Sequence, residues 1–347
     1  MSDLIVRQDN YQLPITDYQL PITNYPLINF KFIFIVAHLS MTNQADQLLK
    51  QGIVHYQTNQ FAAALQSWQE ALSLYRANQD LRREGAALGN LGAAYQALGD
   101  LTQAIACFGQ HLSVAQQIQD DKGQVNALVN LRNAYLTLGD AAKANRYHQQ
   151  QLALACQKLN KVTAEDFIKM TTMLGLNPVE DFAGADLSGA NLSGVNLKGA
   201  NLQGAILNNA NLKFTDLSRA NLRETLLNDA NLSNANLRDA NLQQAHLSNA
   251  DMRCLMPRAK LQNANLSGAN LCSAYLPNAD LSGANLSNAI LQQADLNGAN
   301  LNHANFTNAD LSRAELHNVQ VENTKFLNAI GISAEIKHHL QQHGAIF

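Results

Sequence analysis

The sequence has few aromatic residues, few cysteines and no strong excess of charge. Aromatic residues make up 6% of the 347 residues and hydrophobic residues 46%, so the core must consist mainly of alanine and leucine. The cysteines Cys107, Cys156, Cys254 and Cys272 lie far apart without CxxC or Cys/His metal spacing. We interpret them as reduced packing residues rather than metal or redox sites. The formal net charge of −3 does not favour a general nucleic-acid binder.

Recognisable catalytic motifs are also missing. The sequence contains no nucleophile elbow, phosphate-binding loop, dinucleotide fingerprint or HExxH motif. His339 and His343 are four residues apart near the C-terminus, but no acid or cysteine accompanies them, and histidine is favoured at a helix C-terminus in any case. We therefore expect no enzymatic activity, no small-molecule substrate, no metal and no cofactor.

The first forty residues do not resemble the rest of the chain. A heptad containing proline occupies Tyr11–Asp17 and recurs at Tyr18–Asn24, a pattern that cannot continue a helix. The apolar run at 32–37 suggests a signal-peptide core as one interpretation, but it is far shorter than the roughly 20 residues of a membrane span. We favour a true start at Met41. Residues 1–40 are then a non-native or disordered extension, and the protein is cytoplasmic and makes no membrane contact.

Residues 41–160 carry a 40-residue repeat. Its clearest copy contains Gly92 and, sixteen residues later, Phe108. A small residue lets two helices approach closely, and a large ring fills the remaining space. The pattern resembles the tetratricopeptide repeat, in a 40-residue rather than the usual 34-residue form. Three copies predict an α-solenoid of three helix pairs, although the third copy departs from the pattern with Arg132 and His148.

This resemblance implies a groove for a partner protein along the first helix of each pair. The positions are mostly apolar and small, and only Asn133 matches the residues with which some family members hold a C-terminal carboxylate. A receptor for such carboxylate tails is therefore not expected. The alternative is that these side chains simply face solvent. The predicted groove residues are Leu49, Ile53, Tyr56, Gly89, Ala93, Gln96, Val129, Asn133 and Leu136.

The second half of the chain repeats the phrase Ala-(Asn/Asp)-Leu-x-x. The units are centred on residues 187–247 and, after one four-residue unit at Ala250–Arg253, on residues 256–326. We expect the alanine and leucine to point inward, the other three residues to face water, and the missing residue to bulge one coil without ending it. The pattern resembles the pentapeptide-repeat family, which implies a right-handed quadrilateral β-helix over residues 179–330 with four units per turn.

A helix is predicted at each end of this repeat. The first lies within 161–178, between an N-cap at Thr163 and a left-handed stop at Gly175, and the second lies within 331–347. Both are expected to cover the apolar core and strand edges that an open coil exposes. The predicted fold class is an α + β repeat protein, in which an α-solenoid precedes a β-helix with helical caps.

If four units form a coil, residues twenty apart stack in rows. One row contains Asp186, Ile206, Leu226 and His246; another places Leu255 beneath Tyr275, with Pro257 and Pro277 alongside and a charge ladder of Arg219, Asp239 and Arg258. Aligned surface hydrophobes mark a contact more often than scattered ones. Neutral drift in a degenerate repeat is the alternative. The residues predicted to contact a partner or a second copy of the chain are Ile206, Leu226, His246, Leu255 and Tyr275.

Both repeats favour binding of other proteins over chemistry. The leading hypothesis is a non-catalytic interaction scaffold or adaptor built from two tandem solenoids. The alternative is a DNA mimic, because some pentapeptide-repeat proteins imitate duplex DNA and occupy type II topoisomerases, usually as dimers joined at one end. Residues 180–328 hold thirteen acidic against ten basic residues, which is weak mimicry. The DNA mimic therefore ranks second, and a homodimer remains an open alternative.

Overall fold

The computed structural model describes residues 26–159 and 164–347, with side chains for 38–157 and 166–347. The chain divides into two compact units between Gln151 and Leu152. This division falls inside the sixth helix, slightly before the boundary that we predicted at 160. The proline heptads and the predicted N-cap Thr163 lie outside the described residues.

The first unit is a succession of helices of similar length. From α2 to α5 each helix has 17 residues, and successive helices start twenty residues apart. From α1 to α5 each helix contacts the next, and α3 also contacts α5, as expected for stacked helix pairs. The helices are α1 Pro26–Gln57, α2 Phe61–Ala77, α3 Leu81–Ala97, α4 Leu101–Gln117, α5 Asp121–Thr137 and α6 Ala141–Leu159.

Helix α1 passes through the predicted start at Met41 without interruption. It begins at Pro26, and proline suits the first turn of a helix because its missing N–H is not needed there. Among the described side chains of α1, Leu39 is exposed and burial in the core begins at Ala45. The expected boundary therefore lies within a continuous helix. That residues 1–40 are a non-native extension stays a prediction.

Side-chain caps at regular intervals begin several of these helices. Asp80 accepts a hydrogen bond from the N–H of Arg83 at 3.1 Å, and Asp100 accepts one from the N–H of Gln103 at 3.0 Å. Such caps satisfy N–H groups that lack a partner within the helix. The residue before each cap site reverses the chain with a positive φ, which explains the even helix lengths. These residues are Gln79, Gly99, Gln119 and Gly139.

Pairs of glycine and aromatic residues join the two helices of the first two repeats. Gly52 faces Trp68 and Gly92 faces Phe108 so closely that a Cβ on either glycine would overlap the ring. Both rings are buried, and Trp68 Nε1 donates to the carbonyl of Leu49 at 3.1 Å. Close approach of the helices thus depends on these glycines, as the sequence predicted. The third repeat has no such pair.

The second unit is a coil whose turns stack through parallel β-bridges. Helix α7, Ala164–Met173, precedes the coil and helix α8, Ala334–Gln342, follows it. The bridges form four rows and join residues that are mostly twenty apart, and nineteen apart across the four-residue unit. Extended strands, which a β-helix implied, are not found in the described residues. The reason is that each pentapeptide offers one bridging residue before the chain enters its next turn.

Every regular pentapeptide closes a tight turn. The N–H of Ala240 donates to the carbonyl of Leu237 at 3.0 Å, and Asp239 between them has a φ of 58°. Glycine, asparagine and aspartate tolerate this left-handed conformation best, which explains why they dominate the last position of the repeat. We predicted only that this position faces water, and did not predict that it must adopt a positive φ. Phe214 and Arg219 adopt the same conformation.

The Asn/Asp position is partly buried and hydrogen-bonded. Asn236 Nδ2 donates to Asp216 Oδ1 at 3.1 Å, and Asn236 Oδ1 accepts from the N–H of Arg238 at 3.2 Å. In the same way, Asn221 Nδ2 donates to Asn201 Oδ1 at 3.1 Å. These side chains therefore link coil to coil and hold their own turns, in addition to facing water.

The missing residue is absorbed within one coil. The N–H of Cys254 donates to the carbonyl of Met252 at 2.8 Å, so a three-residue turn replaces the usual four-residue turn. Cys254 takes the inward position of alanine and is buried. Asn236 pairs with Leu255 at a spacing of nineteen, and Leu255 pairs with Tyr275 at the normal twenty. The prediction that the coil continues past this point is confirmed.

Aromatic rings lie at both ends of the alanine and leucine core. The ring of Phe167 in α7 lies 5.7 Å from that of Phe182, measured between centroids. After α8, Ile346 bridges to Lys325, so the last residues add part of a further coil. Three rings stack there at centroid separations of 5.1 Å: Phe306, Phe326 and Phe347.

We expect Leu237→Lys to destabilise the coil by more than about 4 kcal/mol, because Leu237 is fully buried and an unpaired buried charge is costly. The matched variant Asn236→Lys loses the amide hydrogen bonds but keeps its charge at the surface, and should cost about 1 kcal/mol. Thermal unfolding followed by circular dichroism measures both changes. Equal losses would contradict the assignment of inward and outward positions.

Candidate interaction surfaces

The predicted groove residues of α1 belong largely to the core. Leu49 is only 7% exposed and packs inside the first helix pair, so it is not available to a partner, contrary to our expectation. Ile53 and Tyr56 are partly buried against the same core. The ring of Tyr56 lies 5.3 Å from that of Phe61 and 5.7 Å from that of Trp68. These residues support the helix pair from within.

The equivalent positions of α3 form a shallow surface of small residues. Gly89, Ala93 and Gln96 are all half-buried. Beneath Gly89 lies the ring of His111 from α4. His111 is buried, its Nδ1 has no hydrogen-bond partner among the described residues, and burial lowers its pKa while Asp120 opposes that shift. This histidine is not among the predicted groove residues, although it fills the space that Gly89 leaves.

Helix α5 presents the most accessible part of the predicted groove. Val129 is half-buried, Asn133 is exposed and Leu136 is 52% exposed. Their spacing of four and then three residues places them on one face of the helix. Helices α3 and α5 are in contact, and Gln96 of α3 holds the repeat position forty residues before Leu136.

On the coil, the first predicted row forms as expected. Bridges join Asp186, Ile206, Leu226 and His246 in that order. Ile206 and Leu226 are half-buried, whereas His246 is exposed. The two aliphatic side chains shield each other and are less accessible than the sequence suggested.

The second predicted row is more exposed. Leu255 bridges to Tyr275, and their exposed fractions are 50% and 44%. Beside them, Pro257 is buried and Pro277 is half-buried. A leucine and a tyrosine here replace the asparagine or aspartate that other coils carry.

The predicted charge ladder is present in part. Arg258 Nε and Nη2 donate to the two carboxylate oxygens of Asp239 at 2.7 and 2.9 Å. This hydrogen bonding, with the charges of Arg258, Arg219 and Arg238, holds the pKa of Asp239 below its usual value. Within the described residues, Arg219 comes near Asp239 but forms no ion pair.

The exposed apolar residues of the coil that were not predicted as contacts include Ile290, Ile330 and Phe214. Ile290 and Ile330 lie in one row on either side of Asp310, and the stacking rule would have found them. Phe214 is 62% exposed and lies in a turn, with Lys213 Nζ 5.7 Å from its ring centroid. Phe214 does not occupy a row position, so the stacking rule could not identify it.

Thiols and histidines do not converge in the described chain. All four cysteines are free; burial raises the pKa of Cys156 to about 11, which disfavours the reactive thiolate. The rings of His339 and His343 lie 4.5 Å apart, and His343 Nδ1 is 2.9 Å from the carbonyl oxygen of His339. Across the described ranges, no group of three or more histidine, cysteine, aspartate or glutamate side chains could hold a metal ion.

Across the same ranges, no helix has both the length and the apolar character needed to cross a membrane.

The helix pairs and stacked coils define a repeat protein with two kinds of repeat. The family profile described as tetratricopeptide repeat matches residues 83–157. The profile described as pentapeptide repeats matches in eight copies, over residues 181–213, 215–253, 258–293 and 289–326. The chain therefore carries tetratricopeptide repeats followed by pentapeptide repeats.

Solved structures of both kinds are similar to parts of the chain. HetL, a pentapeptide repeat protein involved in heterocyst differentiation regulation in the cyanobacterium Nostoc sp. strain PCC 7120, is 29% identical over 44% of this chain and 76% of its own, with a TM-score of 0.23. The tetratricopeptide domain of Arabidopsis FLU is 24% identical over 32% of this chain and 92% of its own, with a TM-score of 0.31. QnrB1, a plasmid-mediated fluoroquinolone resistance protein, is 22% identical over 42% of this chain and 86% of its own, with a TM-score of 0.19. A comparison with curated proteins gives no match.

We expect the double change Ile206→Asn and Leu226→Asn to leave the coil folded, because asparagine is the most common residue at row positions and can join the amide ladder. Thermal unfolding should stay within about 1 kcal/mol of the parent protein. If these residues contact a partner, the same variant should bind it less tightly in a pull-down. A large loss of stability would show instead that the pair serves the fold.

Proposed function

We propose that this protein is a non-catalytic scaffold that holds other proteins through its two repeat arrays, an α-solenoid and a right-handed quadrilateral β-helix. The four rows of bridges with partners twenty residues apart support the quadrilateral form. Asparagine and aspartate side chains are engaged in ladders and caps. The apolar side chains left exposed are the groups free to bind. The cytoplasmic location remains a prediction from the sequence.

The surface of α5 best supports this function. Val129, Asn133 and Leu136 lie on one helix face and Leu136 is half exposed. The surface is small, apolar and nearly uncharged, so it suits an apolar segment of another protein. A charged tail would find no oppositely charged group among these residues.

We expect the change Val129→Glu with Leu136→Glu to reduce partner capture by at least about tenfold, because charge replaces apolar contact area at the centre of the surface. Leu98→Glu is the matched control: Leu98 is 50% exposed but lies in the turn after α3. Full-length proteins are immobilised, and bound proteins are quantified by cross-linking and mass spectrometry. Equal capture by both variants would contradict this groove.

The charge pattern does not favour the alternative function as a DNA mimic. Several carboxylates of the coil are neutralised by arginine from the same surface. Arg253 donates to both oxygens of Asp251 at 2.8 and 2.6 Å, and Arg258 does the same for Asp239. A mimic of duplex DNA needs dense, unpaired negative charge, and these pairs remove part of it.

We therefore expect the purified protein to leave DNA supercoiling by a type II topoisomerase unchanged at sub-micromolar concentration. A gel-based supercoiling assay measures this directly. Inhibition in that range, abolished by Asp295→Arg but not by the groove variant, would favour the DNA mimic over the scaffold.

A further inference from the structure

One face of the coil carries an apolar centre between a basic half and an acidic half. Leu255 and Tyr275 form the centre, and both are about half exposed. The two coils before this centre contain Arg219 and Arg238, and the two coils after it contain Asp295 and Glu315. The row runs in the order Asp216, Asn236, Leu255, Tyr275, Asp295 and Glu315.

The basic half contains more arginine than its own chain neutralises. Arg219, Arg238 and Arg258 all act on the single carboxylate of Asp239, but within the described residues only Arg258 forms an ion pair with it. The other carboxylate of this half, Asp216, forms no ion pair with these arginines in the described residues, and the cation that acts on it is Lys198. Arg219 and Arg238 therefore carry charge that is available to another molecule.

The acidic half is its counterpart. Asp295 accepts a hydrogen bond from the N–H of Asn297 at 2.9 Å, and Glu315 accepts one from Nδ2 of Asn297 at 2.6 Å. Neither carboxylate forms an ion pair with any described residue. Both charges lie on the same face as the arginines.

These groups are placed symmetrically about the apolar centre. Measured from the midpoint between Leu255 and Tyr275, the coil of Arg238 is as far on one side as the coil of Asp295 on the other. The coil of Arg219 likewise matches the coil of Glu315. A two-fold axis that lies in this face, across the stacking direction, would bring each basic coil opposite the acidic coil of a second copy.

We propose that two copies of this chain pack through this face in antiparallel orientation. Leu255 of each copy then covers Tyr275 of the other, and the arginines reach Asp295 and Glu315 across the interface. Tyrosine and arginine are typical of binding hot spots, and Leu255 adds apolar contact area at the centre. The face is narrow and buries less than the roughly 800 Å² per partner of a standard complex. Self-association is therefore weak, in the micromolar range, and decreases with salt.

The dimer is independent of the proposed binding of other proteins by α5, because the two surfaces lie in different units of the chain. A result that contradicts the dimer therefore does not contradict partner binding by α5, and the reverse also holds.

Sedimentation velocity of the full chain over a concentration series tests the dimer. We expect a dimer at low salt that dissociates at high salt, and a dissociation constant raised at least about tenfold by Leu255→Asn with Tyr275→Asn. Thermal unfolding checks that each variant is folded. A chain that stays monomeric at its highest soluble concentration, or a dimer that these changes do not weaken, would overturn the proposal.

Exchange of charge tests the pairing itself. Arg238→Glu and Asp295→Arg should each abolish self-association, because like charges then meet twice across the two-fold axis. An equimolar mixture of the two variants should restore the dimer, since each interface contact again joins opposite charges. Lysine occupies equivalent row positions at Lys260 and Lys325, so a basic residue at 295 is compatible with the coil. Arg223→Glu, in a turn outside this face, is the matched control. No recovery in the mixture would refute antiparallel pairing.

Discussion

The left-handed residue at the end of each pentapeptide is the constraint on which the coil depends. It turns the chain after every inward leucine, as Asp239 does after Leu237, and so leaves one residue per side to bridge to the next coil. The alanine that follows must be small because the interior between four such turns is narrow. Hydrogen bonds from backbone and amide side chains then repeat at every coil. No single contact is strong, and stability accumulates through stacking.

The helical unit is also stabilised by a small set of contacts that recurs from repeat to repeat, but the contacts are of a different kind. Gly52 and Gly92 allow Trp68 and Phe108 to fill the space between paired helices, and aspartate caps limit the helix lengths. In both units, polar side chains are engaged in caps and ladders. The surface available for function is therefore defined by exceptions to each repeat, where an apolar or charged residue replaces the expected one.

Exceptions matter only where the fold exposes them. Leu49 and Leu136 are both predicted groove residues, yet the first is buried and the second is half exposed. Ile206 and Leu226 shield each other, whereas Leu255 and Tyr275 stand out beside unpaired charge. In a repeat stack of this kind, local substitution changes the exposed surface without disturbing the stack that supports it.

Both repeats, the twenty-residue stacking and the tolerance of the missing residue near Met252 could be predicted from the sequence, because each depends on local periodicity. The tertiary structure alone decided that α1 continues through Met41, that the bridges do not lengthen into strands, and which repeat positions are accessible. Exposure depends on the neighbouring helix or coil. Leu49 is buried because a second helix packs against it. The repeat period of the sequence does not identify that neighbouring helix.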